Sequence, residues 1–449
     1  MYRWVLALRY LVSRRVTLIA VLVVALCVFV VFVVMTVMNG LVGQFKERTH
    51  SFVGDCVVAT ESMVGFPYYD RFMDVLRSEP MVDSVSPVIR TYGLVALAGR
   101  QDAVGIEIMG IEPNSHFTVT GLGQGLHLHR DDPQTAFCSQ ADPNIPGCIL
   151  GIDLVLNRDS SGEYDYRWLP LKATYDISCF PLTARGALER IGTGYVNTKR
   201  FGFSDVSHTG LAREDGGLIY VHFDQLQGLC GMSRPPARAT AIHIRFKPKV
   251  SLQHGTRQVE GLWDRFAKDC QGMPQADLLG LVRVQDWKTY RKSTIAPMEK
   301  EQIAMIVMFI LVATTAVSIV LVVFYMIVSS KTRDIGILKA VGESFWGVIG
   351  LVVNFALLIG LVSAFLGVLA GWLFLRYINQ IEGWLFARFG FQLWDRTIFS
   401  IGQIPNQIQM GVVAVIVMCA LLVCLTGCLL PAIRAARTQP VDTLRASPI

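Results

Sequence analysis

Four long apolar runs constrain the fold of this chain more than any other feature. They occupy residues 16–38, 303–328, 348–375 and 410–430, and each reaches the roughly 20 apolar residues that a helix needs to cross a bilayer. Residues 41–301, of mixed polarity, separate the first run from the other three. With 52% hydrophobic and 17% charged residues among 449, the composition excludes a typical soluble enzyme. The sequence predicts a membrane protein with a large water-exposed domain.

The first apolar run has one alternative interpretation, a cleaved signal peptide, because Arg3, Arg9, Arg14 and Arg15 precede it. The run is longer than the apolar region of a signal peptide. Its end, residues 38–40, lacks the small-x-small pattern of a cleavage site. We therefore expect it to be retained as the first transmembrane helix.

The basic residues next to the runs predict the orientation. Counting four spans places the following residues on one side of the membrane: Arg14, Arg15, Lys331, Arg333, Lys339, Arg434, Arg437 and Arg445. Positive residues concentrate on the cytoplasmic side of membrane proteins. Both termini are therefore expected in the cytoplasm, and residues 41–301 and 377–409 outside it.

Residues 41–301 are predicted to fold as an α+β domain. Strand-like residues 55–60 and 82–98 flank a helix near residues 68–77, and residues 240–246, 251–268 and 281–284 repeat this order. Two βαβ halves separated by an insertion would make one ectodomain. The expected fold is four transmembrane α-helices with this α+β extracytoplasmic domain between helices 1 and 2.

The domain boundaries follow from these assignments. Residues 1–40 form an interfacial helix and transmembrane helix 1, and residues 41–301 form the extracytoplasmic domain. Residues 302–430 hold helices 2–4, and residues 431–449 form a cytoplasmic tail. Within the ectodomain, residues 121–146 are rich in Gly, Pro, Asp and His and are expected to be a loop rather than core.

Several kinds of chemistry lack a sequence signature here. The chain contains no Gly-x-x-x-x-Gly-Lys phosphate loop, nucleophile elbow or basic-aromatic nucleic-acid pattern. His127 and His129 with Asp131 and Asp132 could hold a metal, but a solvated loop is favoured because no further spaced ligands follow. The apolar runs contain almost no ionisable residues, which argues against an ion-driven carrier.

The cysteines and the small residues carry two packing hypotheses. Cys138 and Cys148 are close enough in sequence to form a disulfide outside the cytoplasm, although sequence leaves the geometry open. Gly360, Gly367 and Gly371 favour close helix packing in the third run, and a second copy of the chain or a homologue is the expected neighbour.

A short charged segment, residues 330–344, lies between the second and third runs. Ile335, Leu338 and Val341 have helical spacing, with Asp334 near the start and Gly342 as a stop signal. The alternative is an ordinary polar loop. As an amphipathic helix, the segment would present one apolar stripe to a partner's groove.

The residues Lys-Thr-Arg-Asp-Ile-Gly-Ile-Leu-Lys-Ala-Val-Gly at 331–342 resemble the cytoplasmic coupling helix of one permease family. That family includes the lipoprotein-releasing transmembrane subunits of LolC/LolE type, MacB and FtsX-like proteins. Residues 8–15, the Val-Met-Asn-Gly-Leu at 37–41 and residues 431–445 are also similar, so the resemblance covers essentially the whole chain. By this resemblance the ATPase-coupling residues are Thr332, Arg333, Asp334, Ile335, Gly336, Ile337, Leu338, Lys339, Val341 and Gly342.

The resemblance implies a transmembrane subunit of a type VII, mechanotransmission ABC transporter in the bacterial inner membrane. It would bind no cofactor itself and would not be an enzyme, because a separate LolD-like ATPase subunit would use the ATP. Its other expected partners are a second permease copy or homologue, a lipoprotein substrate, a soluble periplasmic lipoprotein carrier and membrane lipids, without nucleic acid.

The family's carrier-docking hairpin corresponds, by order along the chain, to residues 181–192. Arg185 and Arg190 are therefore candidate docking residues, and a plain hairpin tip with solvated arginines is the alternative. Two alternative functions stay open: an FtsX-like signalling permease that controls a periplasmic hydrolase, and a MacB-like export permease. A membrane-anchored enzyme would need a catalytic constellation that the sequence does not display.

Overall fold

The computed structural model describes residues 15–100, 102–158, 163–190, 194–330, 337, 339–389 and 404–437. Two compact units contain them. The membrane unit takes in the described residues of Met1–Gly43, Pro297–Trp394 and Gln403–Ile449, and the ectodomain is Gln44–Ala296.

The helices in chain order are α1 (Arg15–Val53), α2 (Tyr69–Ser78), α3 (Pro113–Val119), α4 (Ile152–Val155), α5 (Ala212–Gly217), α6 (Phe223–Leu229), α7 (Leu252–Asp269), α8 (Trp287–Tyr290), α9 (Lys292–Ser330), α10 (Phe345–Phe389) and α11 (Met410–Arg437). The strands are β1 (Cys56–Thr60), β2 (Phe66–Pro67), β3 (Val82–Leu97), β4 (Ala103–Ile111), β5 (Gly147–Gly151), β6 (Thr174–Cys179), β7 (Asn197–Ser207), β8 (Leu218–His222), β9 (Arg238–Ala239), β10 (Ala241–Phe246) and β11 (Val282–Asp286).

Four helices of the described chain are long and apolar enough to cross a membrane, namely α1, α9, α10 and α11. This confirms the predicted transmembrane helices and the position of the ectodomain between the first two. The helices are longer than the apolar runs, because α1 continues to Val53 and α9 starts at Lys292. A bilayer limits the length of an apolar run, but a helix can continue in water if other side chains cover it.

The small residues of α10 pack within the chain itself. A Cβ added to Gly367 would lie 2.6 Å from the Ala25 carbonyl oxygen of α1, and one added to Gly360 would lie 3.4 Å from Cys424 Cβ of α11. The expectation that these glycines serve a second permease copy is therefore wrong for both positions. Their absent side chains allow α10 to approach α1 and α11 closely.

The first part of the ectodomain is a pair of interleaved split βαβ units. Neighbouring strands follow the order β11-β1-β10-β3, and each neighbouring pair is antiparallel. One unit is β1-α2-β3 and the other is β10-α7-β11, so each contributes strands to both sides of the other. The two predicted βαβ halves are both present, and the interleaving produces a ferredoxin-like sheet.

The inserted part of the ectodomain extends the same sheet and then closes it. From β3 the order continues β4-β8-β5-β7-β6, and β6 pairs again with the second half of β3. The first half of β3, up to Val88, pairs with β10, while residues 88–96 pair with β4. This long strand therefore belongs to the ferredoxin-like sheet and to a closed ring of strands.

The loop at residues 121–146 is largely irregular, with short 3-10 turns at Leu122–Gly125 and Pro133–Thr135. Three apolar side chains of this loop, Leu122, Leu126 and Ala136, are nevertheless buried in the ectodomain core. The expectation that the loop stays out of the core was wrong for these residues. They are spaced too irregularly to give a periodic signal.

Candidate functional site

The coupling segment, defined as residues 330–344, is described from its middle onward. Thr332, Arg333, Asp334, Ile335, Gly336 and Leu338 lie outside the described residues. The described end is a helical turn, in which the Val341 amide donates to the Ile337 carbonyl at 3.0 Å and the Gly342 amide to the Lys339 carbonyl at 3.0 Å. Gly342 has a φ of 102°, a conformation that glycine adopts without strain, and it ends the turn.

The described end of the coupling segment presents apolar side chains to the surface of the chain. Ile337 is 48% exposed and Val341 is 83% exposed. Trp346, in the first turn of α10, is 76% exposed. A group of exposed apolar side chains next to charged residues is typical of a surface that binds lipid or another protein.

A contact within the membrane unit fixes this end of the segment. The Lys339 ammonium donates to the Ala436 carbonyl of α11 at 2.6 Å, and Ala435 and Ala436 pack against Val348 of α10. A cation at the carboxyl end of a helix also interacts favourably with the helix dipole. The segment is therefore joined to the ends of two membrane helices.

The outer hairpin, defined as residues 180–190, projects from the end of β6. The Thr183 amide donates to the Ala187 carbonyl at 2.9 Å, and the Glu189 amide donates to the Pro181 carbonyl at 2.8 Å. Both predicted docking residues, Arg185 and Arg190, are exposed on it. The solvated-arginine alternative and the docking hypothesis both require this exposure.

One buried and one exposed arginine contact the base of the outer hairpin. The Arg238 guanidinium, almost fully buried, donates to the carbonyls of Leu182 at 2.9 Å and Val64 at 3.0 Å. Glu189 forms an ion pair with Arg234. Burial lowers the pKa of Arg238, and the charge of Glu189 opposes this effect.

An apolar cavity of about 440 Å³ lies beside the hairpin. Phe180, Leu182 and Leu188 of the hairpin line it on one side, and Tyr92 and Leu94 of β3 line it on the other. Its size and lining fit an apolar side chain or a short segment of a partner.

The stalk ends, defined as residues 44–53 of α1 and residues 287–296, are built into the ectodomain core. Phe52 and Val53 share one buried cluster with Trp287 and Ile295. The His50 ring also stacks on Trp287, with the ring centroids 4.9 Å apart. The end of α1 and the start of α9 therefore pack in a single core of the ectodomain.

A buried ion network reinforces the second stalk end. Arg291 Nη1 donates to Glu214 Oε1 of α5 at 2.8 Å, and Arg90 Nη2 lies 3.8 Å from Glu214 Oε2. Arg90 also pairs with Glu107. Removing one partner of a buried ion pair leaves an uncompensated charge, which makes this contact hard to break. Sequence analysis did not identify the network, because its members lie far apart in the chain.

Neither the disulfide nor the metal hypothesis finds support in the geometry. Cys138 and Cys148 are both free thiols: Cys138 is exposed, while Cys148 is buried in β5 with its thiol 3.5 Å from the Gly202 carbonyl. The two residues are close in sequence but differ in environment, and their disulfide stays a prediction. In the described residues, no three His, Cys, Asp or Glu side chains are placed to hold a metal.

His127 and His129, in the loop at residues 121–146, contact protein side chains. His129 Nδ1 lies 3.2 Å from Asp205 Oδ2, and the Asp205 carboxylate also accepts the backbone amides of residues 127–129. The His127 ring stacks on Tyr166 at 3.9 Å. Asp205 therefore holds the loop against β7.

The membrane unit contains an apolar groove of about 240 Å³ between α1, α9 and α11. Val24 and Met35 of α1, Phe309 of α9 and Val415 of α11 are among its lining residues. Because the lining is almost entirely apolar, the groove suits an acyl chain or an apolar helix.

Comparison with known proteins matches both ends of the chain to families. Residues 17–154 match the MacB-like periplasmic core domain, and residues 306–440 match the FtsX-like permease C-terminal family. The lipoprotein-releasing system transmembrane protein LolC of Xylella fastidiosa (strain 9a5c) is 24% identical over 449 residues, covering 98% of each chain. LolC of Neisseria meningitidis serogroup B is 23% identical over 365 residues, covering 81% of this chain and 78% of the relative.

Among solved structures, the periplasmic region of MacB from Actinobacillus actinomycetemcomitans is similar to 55% of this chain and 95% of its own, at 13% identity and a TM-score of 0.30. The extracellular domain of the transporter YknZ covers 52% of this chain at 13% identity and a TM-score of 0.29.

The two matched domains and the four membrane helices define an ABC-type permease with a periplasmic domain between its first two helices. The two family matches and the full-length similarity to LolC support a MacB/FtsX-like permease of the LolC/LolE type. It is a multi-pass protein of the inner membrane.

Proposed function

We propose that this chain couples ATP hydrolysis in a separate ATPase subunit to the release of lipoproteins from the inner membrane. The observation that carries the proposal is the single core that joins both stalk ends to the ectodomain. A displacement of α1 or α9 must then displace the ectodomain or break that core. Similarity to LolC over the full length supports lipoproteins as the substrate class.

The ATPase subunit is proposed to dock on residues 332–342, with both termini of the permease in the cytoplasm. The exposed Ile337 and Val341 support a docking surface, and Lys339 connects it to α11. The permease itself would bind no nucleotide, so ATP is needed only by the partner. Closure of the ATPase would pull or push on the helices next to the segment.

Lipoprotein release needs both energy and a shielded path. Exposing acyl chains to water costs about 0.8 kcal/mol per CH₂, so several long chains need an external energy source. The apolar groove between α1, α9 and α11 supports such a path in the membrane unit. Outside, the outer hairpin with Arg185, Arg190 and its apolar cavity is the proposed docking site for a soluble carrier.

The match to the FtsX-like C-terminal family is also compatible with a second function, a signalling permease that controls a periplasmic hydrolase. A MacB-like exporter would share the same architecture. These functions differ from lipoprotein release in the proteins that accompany the permease, so the partners decide between them.

The test is affinity purification of the tagged full-length permease in mild detergent, followed by mass spectrometry. We expect the wild-type protein to recover a P-loop ATPase, a permease copy or homologue, and lipoproteins. The Ile337→Asp/Val341→Asp double variant should lose the ATPase, because charges replace the exposed apolar side chains of the segment.

The matched control is Leu171→Asp, because Leu171 is as exposed as Ile337 but lies in the ectodomain. This variant should retain the ATPase. Retention by the double variant would refute docking on the coupling segment. Recovery of a cell-wall hydrolase without lipoproteins would overturn the release function and favour the signalling permease.

A further inference from the structure

Two buried cysteines meet at the base of the outer hairpin. Cys179 is the last residue of β6, and Cys230 directly follows α6. Both belong to the same core cluster, with exposures of 0% and 3%. They lie roughly fifty residues apart in the sequence, a separation that gives no reason to pair them from sequence alone.

The two side chains lie close together. Both pack in one buried cluster, and Gly93, the strand partner of Cys179 on β3, lines the apolar cavity together with Cys230. Cys230 is also the first cause of the raised pKa of the Cys179 thiol. The neighbouring backbone segments are linked as well, because Asn197, which pairs with Cys179, donates its side-chain amide to the Leu229 carbonyl at 3.3 Å, and the Leu182 amide donates to the Cys230 carbonyl at 3.4 Å. Cys148, on the same sheet, instead directs its thiol toward the Gly202 carbonyl at 3.5 Å.

We infer that Cys179 and Cys230 are a disulfide-forming site that fastens the base of the outer hairpin to the end of α6. Disulfides persist in the oxidising periplasm, where the ectodomain of this permease family resides. The co-reactant is the disulfide of a thiol–disulfide oxidoreductase. One S–S bond forms between the two cysteines, the S–S bond of the oxidoreductase breaks, and its two sulfurs leave as thiols carrying the two protons and two electrons.

The bond forms while the chain folds. In the folded ectodomain, the neighbouring Cys230 and then burial raise the pKa of Cys179, so little of the attacking thiolate is present. Burial also keeps an oxidoreductase from both sulfurs. Once formed, the bond limits separation of the hairpin from α6, since Phe180 starts the hairpin immediately after Cys179.

Differential thiol labelling tests this inference. Cells that make the full-length permease are quenched in acid and denatured, free thiols are blocked with N-ethylmaleimide, and the protein is then reduced and labelled with iodoacetamide. We expect Cys179 and Cys230 to carry the second label, and an unreduced digest to contain their linked peptides. Cys138 and Cys148 should carry the first label.

A stability measurement distinguishes a bond from a simple packing contact. A reductant should lower the unfolding midpoint of the wild-type permease by about 5–10 °C, and it should leave the Cys179→Ala/Cys230→Ala variant unchanged. Cys148→Ala is the control and should keep the response to reductant. N-ethylmaleimide on both Cys179 and Cys230 of the wild-type protein, or a linkage of either residue to another cysteine, would overturn the inference.

Discussion

The ectodomain buries its large apolar side chains within the chain, whereas the membrane unit exposes most of its own. In the ectodomain, Phe66, Phe72 and Trp263 are buried together with edge-to-face ring contacts. In the described membrane helices, the most apolar stretches are only 17% to 44% buried within the chain. The ectodomain therefore contains its own stabilising core, whereas the membrane unit depends on lipid and on other proteins to cover its surface.

The largest expected difference between the two units concerns buried and exposed phenylalanines. Phe72→Ala should destabilise the ectodomain by about 3–5 kcal/mol, because it removes a fully buried ring that contacts Trp263 and Phe266. Phe365→Ala on α10 should change stability by less than about 0.5 kcal/mol, since that ring is 67% exposed. Thermal unfolding of the full-length variants in detergent measures both. Equal losses would show that the membrane helices already form a closed core.

Two buried histidines predict that acid weakens the ectodomain. The rings of His116 and His243 lie 5.6 Å apart, and burial lowers the pKa of His116 to about 3. Burial, and then the charge of His116, lower the pKa of His243 well below its usual value. Below pH 6.5 the unfolded chain binds protons that the folded chain does not bind. The stability that the two neutral histidines contribute is therefore fully present above pH 7, and it is lost as the pH drops from 6.5 toward 3.

At pH 5 this loss amounts to about 2 kcal/mol for His116, and His243 contributes in the same direction. Asp215 changes the stability in the opposite direction. Burial raises its pKa to about 6, so the folded chain binds a proton below pH 6 that the unfolded chain does not bind. At pH 5 this stabilises the ectodomain by about 1 kcal/mol. Unfolding midpoints at pH 7.5 and pH 5 give the slope. The His116→Gln variant should lose less stability between these pH values than the wild type, and an unchanged slope would contradict the assignment.

How much the sequence predicts differs between the units for physical reasons. A bilayer demands long apolar runs, so α1, α9, α10 and α11 could be predicted from composition, and alternating residues predicted both βαβ units. The closure of the strand ring by β3 and β6 could not be predicted, because that pairing depends on the three-dimensional path of β3. The Arg291–Glu214 ion pair could not be predicted either, because only the three-dimensional fold brings these two residues together. Sequence proximity also gives no view of environment, since Cys138 is exposed and Cys148 is buried.

Helix packing inside the membrane unit should produce a smaller effect. Gly367→Ala should destabilise the unit by about 1–3 kcal/mol, because the new Cβ would lie 2.6 Å from the Ala25 carbonyl oxygen and 2.7 Å from Val28 Cβ. Gly383→Ala on the same helix is the control, since nothing lies within 4 Å of its added Cβ. The control should gain up to about 1 kcal/mol from helix propensity. Similar unfolding midpoints for the two variants would show that α10 does not pack closely on α1.

The smallest effect on stability is expected at the outer hairpin, where a functional effect should appear instead. Arg185→Glu/Arg190→Glu should leave the unfolding midpoint unchanged, because both side chains are exposed. If the hairpin docks a soluble carrier, the double variant should bind that carrier up to about thirtyfold more weakly, since exposed charge pairs contribute roughly 0.2–1 kcal/mol each.

Binding of the purified full-length permease to the carrier, measured at low and high salt, separates docking from plain solvation of the arginines. The wild-type affinity should fall with salt more steeply than that of the variant, because the variant has lost the contributing charges. Arg77→Glu on the exposed face of α2 serves as the control and should retain wild-type affinity. Equal affinities and equal salt dependence for all three proteins would mean that the two arginines only solvate the hairpin tip. Docking would then have to depend on the apolar cavity at its base.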